Sequence, residues 1–414
     1  MHYWNDTDGM DMSDRLYYTD SYRTEFEALV RAIDNRDGQP AVRLAQSCFY
    51  PTSGGQLHDT GLLGGAAVVD VVAADDGMLH ILDAPPGFSV GDVVRGVVNW
   101  PRRYDHMQQH SGQHLLSQHF FRQFSWETVS VHFGAEESTL DLDTPDASPA
   151  QLAEVEALAN DMAYRALPIR AYFVDEAGLG AVPLRRPPKV AGTIRIVEIE
   201  AFDYSACGGT HVRTTAEIAP IKLIRQERRR NQTRVTFLCG LRAYRDYARK
   251  HELLLSTAAL FSNEPASVPS LVERLLEQSR AAERQLGQLG EQLAGYEAAD
   301  LREHGTTVNG ATLVVRLSPQ HTADALKAVA TRLSENPATI ALLASTAGDK
   351  VTVIFCRSAD VDLHMGTLLR DTLRTFGGGG GGRPEYAQGG GVAPDLAQAV
   401  LDHARGLVLE QKKD

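Results

Sequence analysis

The chain has 414 residues, 43% of them hydrophobic and 23% charged, with a formal net charge of −12. That length exceeds one compact core, so about two to four domains are expected from a composition of the soluble globular kind. No apolar run approaches the roughly 20 residues of a bilayer span, which argues against a membrane protein, and the acidic balance argues against a protein that coats nucleic acid indiscriminately.

The start, "MHYWNDTDGMDMSD", has neither the basic region nor the apolar stretch of a signal peptide, so a cytoplasmic location is expected. Residues 1–100 alternate short apolar runs ("AVRLAQSCFY", "GGAAVVDVVAAD", "MLHILDA", "DVVRGVVNW") with Gly, Pro and Asp, the pattern of a β-barrel-like domain. From Pro101 the texture changes. A histidine-rich helix comes first, then a strand pair through "VSVHFGAEESTLDLD" and a helix capped by Asp146 or Ser148. "VPLRRPPKV" reads as a proline-rich turn, and "TIRIVEIEAFDYSACGGTHV" as a strand running into a tight glycine turn. This gives an α+β domain over residues 101–250.

Ile221 to Lys250 holds ten basic residues against Glu227 and Asp246. The Arg228, Arg229, Arg230 run is either an RNA-facing patch or a solvated charged face. In residues 251–303, Ala282, Leu286, Leu289, Leu293 and Tyr296 fall at gaps of four and three, the seam of a helical hairpin or coiled coil. Gly287, Gly290 and Gly295 weaken that helix, and packing on its own chain competes with pairing between two copies. Residues 304–414 alternate strands and helices, with "FGGGGGGRPEYAQGGG" leading into the last helix of a small α/β domain. Inside such a domain the glycines, Gly379 and Gly380 among them, and Arg383 point to close backbone approach to RNA phosphates or to a neighbouring element.

The chemistry concentrates in "DHMQQHSGQHLLSQHF", Asp105 to Phe120. Residues four apart share a helix face, so His106 with His110, or His110 with His114, can chelate one ion. His106 and His114 are roughly 12 Å apart along the axis, too far for both to reach one zinc. His119 points elsewhere. A metalloprotease helix needs glutamate directly after the first histidine, and Ser111 stands there. Downstream, "CGGTH" separates Cys207 and His211 by three residues, Gly208 and Gly209 among them; thiolate and imidazole are donors zinc prefers, and two helical histidines would complete a tetrahedral set. Four protein donors suggest a closed, structural site, whereas chemistry would need a loose ligand or a metal that only positions substrate. Cys48, Cys239 and Cys356 are too dispersed for a disulfide framework.

"HSGQHLL" followed by "CGGTHV" resembles the editing domain of alanyl-tRNA synthetase and its free-standing AlaX trans-editing relatives. "FYPTSGGQLHDTG" resembles that family's glycine-rich element, with Ser53 where many members have glycine and Leu57-His58 in place of a Pro-containing step. "GGGGGGRPEYAQGGG" resembles the glycine-rich signature of DHHA1 domains. The resemblance implies an α+β multidomain protein: a β-barrel-like domain (1–100), a zinc-containing editing domain (101–250), a helical linker (251–303) and a DHHA1-like domain (304–414). It assigns Zn2+ to His110, His114, Cys207 and His211 and leaves His106 outside the ligand set. Its activity is hydrolysis of the ester joining a wrong amino acid, chiefly serine and sometimes glycine, to tRNA(Ala). Gln56, Thr52 and Thr210 are expected in catalysis or serine recognition, with Ser53 beside them. Gly54, Gly55, Gln113 and His132 are expected near the pocket, and Asp203 as an orienter of a histidine. Arg228, Arg229, Arg230, Gly379, Gly380 and Arg383 are expected to hold RNA, and a homodimer is expected through the linker and DHHA1-like domain. Without an aminoacylation core, no tRNA charging is expected. The competing expectation is a noncatalytic tRNA-binding protein with a structural zinc, and a phosphoesterase is disfavoured for want of an Asp-His-His motif.

Overall fold

A computed structural model describes residues 14–74, 77–187, 192–347 and 350–410. Most of the N-terminal stretch read above for a leader, and the end of the "VPLRRPPKV" turn, lie outside the described residues. The chain forms two compact units, Met1–Ser256 and Thr257–Asp414. The boundary expected at residue 250 falls within one continuous helix, Leu241–Leu260.

In the first unit one helical turn, α1 (Leu16–Thr19), precedes a closed six-stranded barrel. Its strands are β1 (Glu25–Arg36), β2 (Gln39–Leu44), β3 (Gly61–Leu63), β4 (Ala66–Ala74), β5 (Gly77–Leu82) and β6 (Val93–Val98), in the order β1-β2-β5-β4-β3-β6. Alternation does the sorting: Phe26, Ala28 and Val30 face inward while Glu25, Glu27 and Leu29 face out. Phe49 and Tyr50 of the "FYP" stretch join that core. So does His80, bonded to Ser47 Oγ at 2.8 Å and the Val42 carbonyl at 3.0 Å, and burial pushes its pKa down to about 4.

The barrel leads into α2 (Trp100–Phe124), which starts where Asn99 accepts from Arg102 N at 3.3 Å with Pro101 in the first turn, and ends at Ser125 in the left-handed region. Around α2 lie β7 (Thr128–Phe133), β8 (Ser138–Leu142), α3 (Pro149–Tyr164), β9 (Ile169–Val174), α4 (Glu176–Leu179), β10 (Ile194–Ile199), β11 (Asp203–Ala206), β12 (Ile221–Arg229) and β13 (Gln232–Cys239). They form a four-stranded sheet, β12-β13-β8-β7, and a three-stranded one, β11-β10-β9. Of the two caps expected for α3, Ser148 is used, in a reciprocal capping box with Gln151. "TIRIVEIEAFDYSA", expected as one strand, is a hairpin, because Ala201 takes a positive φ of 56° and turns the chain between β10 and β11.

α5 (Leu241–Leu260) crosses into the second unit, which continues with α6 (Val268–Glu303), β14 (Thr306–Val308), β15 (Ala311–Leu317), α7 (Ala323–Ser334), β16 (Thr339–Ser345), β17 (Thr352–Arg357), α8 (Met365–Thr375), β18 (Gly379–Gly382), β19 (Tyr386–Gly390) and α9 (Ala397–Glu410). One sheet, β14-β15-β16-β17-β19-β18, separates two cores. Ala341, Leu343, Ile354 and Cys356 meet α7 and the end of α6 on one face. Leu342, Phe355, Leu369, Leu373 and Leu401 pack on the other. The glycine-rich stretch that leads into the last helix forms a hairpin on the way, its glycine run being the edge strand β18. A side chain at Gly380 or Gly382 would collide with the backbone of β19, which is why only glycine fits. Among the described residues no helix is long and apolar enough to cross a membrane.

Candidate metal centre

α2 is anchored at both ends of its buried run. Arg103 is fully buried and forks onto Asp59 of the barrel loop through Nε and Nη2, while Nη2 also donates to the Cys48 carbonyl and Nη1 to the Ser21 carbonyl. Gln109 donates to the Cys239 carbonyl at 3.0 Å and accepts from Cys239 N at 2.9 Å, pairing with the end of β13 as a neighbouring strand would. Gly112 lets helix and strand touch, since a Cβ there would strike Cys239 Sγ and come within 3.1 Å of Ile218 Cγ2.

That placement brings His110 and His114 to the "CGGTH" turn after β11. One ligand atom from each of His110, His114, Cys207 and His211 lies within 4.8 Å of every other, so the quartet could hold a metal ion. Cys207 Sγ is 3.4 Å from both His110 Nε2 and His211 Nε2. His106 and His119, the other histidines of the helix, are buried but stand apart, His119 against Phe202 with ring centroids 4.7 Å apart.

Each imidazole is held from behind through Nδ1. His110 meets Gln56 Oε1 at 2.9 Å, His114 meets Asp203 Oδ2 at 3.2 Å and His211 meets Ser111 Oγ at 3.0 Å. Gln56 Oε1 also accepts from Thr210 N at 3.2 Å, and Asp203 is a pure acceptor, so Nδ1 of His110 and of His114 carries a proton and Nε2 is the nitrogen turned to the centre. Burial would lower His114, but its bonds to Asp203 and Cys207 raise it to about 9. Burial, then His110, pushes His211 down to about 3. Burial alone would raise the Cys207 thiol, yet the imidazoles of His110 and His211 hold it well below the usual thiol range. A thiolate and a neutral imidazole are the forms that ligate zinc, so this donor set fits Zn2+ once His114 gives up its Nε2 proton to the ion.

The other expected site residues divide. Gln56 and Thr210 are both buried and bonded to each other, Gln56 Nε2 donating to Thr210 Oγ1 at 2.8 Å, so their visible work is to hold His110. Gly54 and Gly55 take positive φ in the turn that carries Gln56, where Ser53 and Gln56 pair through their backbones. Thr52 is exposed and bonded to His58 Nδ1 at 3.0 Å. Gln113 donates to Ser117 Oγ at 2.7 Å within its own helix, and His132 lies on β7 outside the quartet. Arg228 pairs with Asp146 at 3.3 Å and Arg229 with Glu227 at 3.2 Å, so carboxylates partly neutralise this run; Arg230 sits in the β12–β13 turn. Arg383 closes the β18–β19 turn, its N–H donating to the Tyr386 carbonyl at 2.8 Å.

Sequence reasoning missed Ser111 as the support of His211 and Arg195, which donates to the carbonyls of Cys207 and Gly209 at 2.8 and 2.9 Å and so sets the ligand turn. The need of a metal-bound histidine for a second partner was the available signal, but it names no residue.

Residues 194–235 match the family of "Threonyl and Alanyl tRNA synthetase second additional domain", and residues 309–410 match the DHHA1 domain family. More particularly, alanine–tRNA ligase of Methanobrevibacter smithii is 29% identical over 412 residues, covering 96% of this chain and 46% of that protein. The ligase of Natronomonas pharaonis is 32% identical over 415 residues, with coverage of 95% and 43%. A solved structure of the C-Ala domain of Aquifex aeolicus alanyl-tRNA synthetase is 26% identical, covering 25% of this chain and 96% of that one at a TM-score of 0.24. The chain resembles domains of alanyl-tRNA synthetase along most of its own length, and it spans less than half the length of the curated relatives it matches.

Proposed function

We propose that this protein is a zinc-dependent trans-editing hydrolase that deacylates mischarged tRNA(Ala), chiefly seryl and also glycyl esters. The observation that carries the reading is the convergence of three imidazoles and one thiol, each imidazole supported from behind by a separate side chain. His110, His114, Cys207 and His211 would hold the metal. Zinc, when bound, would supply a Lewis acid that orients the ester or polarises water. Gln56 and Thr210 keep His110 in register, and the glycine turn at Gly54 and Gly55 carries Gln56, with the Gly55 carbonyl accepting from Phe133 N at 3.2 Å. Thr52 and Ser53 are the groups to bond a serine hydroxyl. A polar site left unpaired by alanine disfavours the correct ester, by less for exposed Thr52 than the roughly 1–3 kcal/mol of a buried group.

Mischarged tRNA(Ala) is the partner, in the cytoplasm, with Arg230, Arg383 and the strand at Gly379 and Gly380 as RNA contacts. A homodimer forms through α6 and the DHHA1-like domain. A second reading, a noncatalytic tRNA-binding protein, is favoured by one observation: four protein donors make a closed set of the kind that staples a fold.

The test is release of amino acid from seryl-, glycyl- and alanyl-tRNA(Ala), beside seryl-tRNA(Thr), with zinc measured on the same samples. Serine release that Cys207→Ala abolishes while the fold persists is expected. Full activity in metal-free protein would end the zinc reading, and no release by zinc-loaded protein would leave the binding module. Because the His114 proton must leave, zinc affinity should strengthen as pH rises toward about 9.

A further inference from the structure

Of the three ligand histidines, His114 is the one backed by a carboxylate, and the carboxylate is itself fully buried. A buried carboxylate left to one neutral partner is costly, so something else must hold it. Arg185, from the segment between α4 and β10, stands behind it. Its Nε is 3.7 Å from Asp203 Oδ1, its Nη2 donates to Ser205 Oγ at 3.3 Å, and Ser205 Oγ donates to Asp203 Oδ2 at 2.9 Å. The Arg185 backbone N–H donates to the Tyr204 carbonyl at 3.1 Å, tying the segment to β11. Arg185 Nη1 and Asp203 Oδ1 are buried and without a hydrogen-bond partner among the described residues, so the guanidinium and this oxygen have each other as the nearest charge complement.

We propose that Arg185 is a positioning residue for the metal centre, acting through Asp203 on His114. Arg185 and Ser205 fix the plane of the carboxylate, the carboxylate fixes the imidazole with Nδ1–H toward it, and Nε2 is thereby aimed at Cys207 and His211. Gln56 and Ser111 support their histidines without a charged residue behind them, so this three-member chain makes His114 the most firmly oriented donor. The inference rests on the metal reading of the quartet, and the experiment separates the two.

The full chain is prepared as wild type, R185Q, R185K, D203N and the R185Q/D203N double variant, and zinc affinity is read by chelator competition. R185Q is expected to weaken zinc about 10- to 100-fold, as loss of an outer-shell partner does, and R185K to recover part of it. In the D203N background R185Q should change affinity by less than about 2-fold, because its route to the metal is already cut. Wild-type affinity in R185Q, or losses that multiply in the double variant, overturns the proposal. If R185Q does not fold, R185K beside D203N carries the same comparison. If the wild type binds no zinc, the metal reading fails, and the 15N shifts of His114 in metal-free protein decide the rest: a changed Nδ1 signal in R185Q upholds the chain from Arg185, and an unchanged one ends it.

Discussion

Two long helices of this molecule invert the usual relation between polarity and burial. Every residue of α2 from His106 to Phe120 is buried, although only Met107, Leu115, Leu116 and Phe120 are large and apolar. α6 carries leucines at coiled-coil spacing, yet Leu286, Leu289, Leu293 and Tyr296 are 68%, 53%, 65% and 78% exposed, and its buried residues are Val268, Ala294 and Ala298. The difference lies in partners. Most polar groups along α2 meet one: Gln108 the Glu217 carbonyl at 2.7 Å, Gln109 both backbone groups of Cys239, Gln118 the Phe202 carbonyl at 2.7 Å. A polar helix can be a core element when the surrounding backbone accepts what it offers, and a leucine stripe can stay in solvent when nothing in its own chain answers it.

The comparison predicts opposite responses to substitution. Arg103→Leu, which makes α2 more hydrophobic, should cost about 3–5 kcal/mol because Asp59 is left charged and buried, and unchanged urea unfolding would show that the pair contributes little. Gln109→Leu, again apolar for polar, should cost about 2–4 kcal/mol by orphaning the N–H and carbonyl of Cys239. The His80 pKa, depressed in the fold to about 4 from 6.5, binds a proton in the unfolded chain first. Stability present above pH 6.5 is therefore lost as pH falls toward 4, about 3 kcal/mol from this residue. A urea midpoint equal at pH 7 and pH 4.5 would contradict it. The smallest effect belongs to α6: Leu286→Gln should change the stability of a single chain by less than about 0.5 kcal/mol. If two copies pair along that stripe, the same change lowers the mass seen in sedimentation, and a wild type that sediments as a monomer removes the pairing.

What the sequence made legible follows the same division. The short apolar runs at β2, β4, β5 and β6 mark a barrel wall without knowledge of the partner strands, whereas local spacing fixed only His110 and left His106 or His114 as its partner until the family resemblance gave His110, His114, Cys207 and His211 as the donor set. The supports of those donors were not legible, because Ser111 reads as a helix residue and Arg185 as part of a proline-rich turn until the fold brings them to His211 and Asp203. Asp203 itself was within reach, since it stands four residues before Cys207. The strand at Gly379–Gly382 was hidden for another reason: glycine has little strand preference of its own, and the close approach of β19 decides its conformation. The Arg228–Arg230 run stood between an RNA patch and a solvated face because sequence does not show that Asp146 and Glu227 meet two of its arginines.

Gly112 sits between the two helical histidines and touches Cys239 where a side chain would have no room. It therefore works as a depth gauge. The absence of one methyl group decides how far the helix sinks toward β13, and both imidazoles ride on that depth because they flank it by two residues on either side. Alanine at this position would alter no donor, yet it would shift both imidazoles together relative to the thiol, so the reach of the centre is written in the one residue of "HSGQH" that has no side chain.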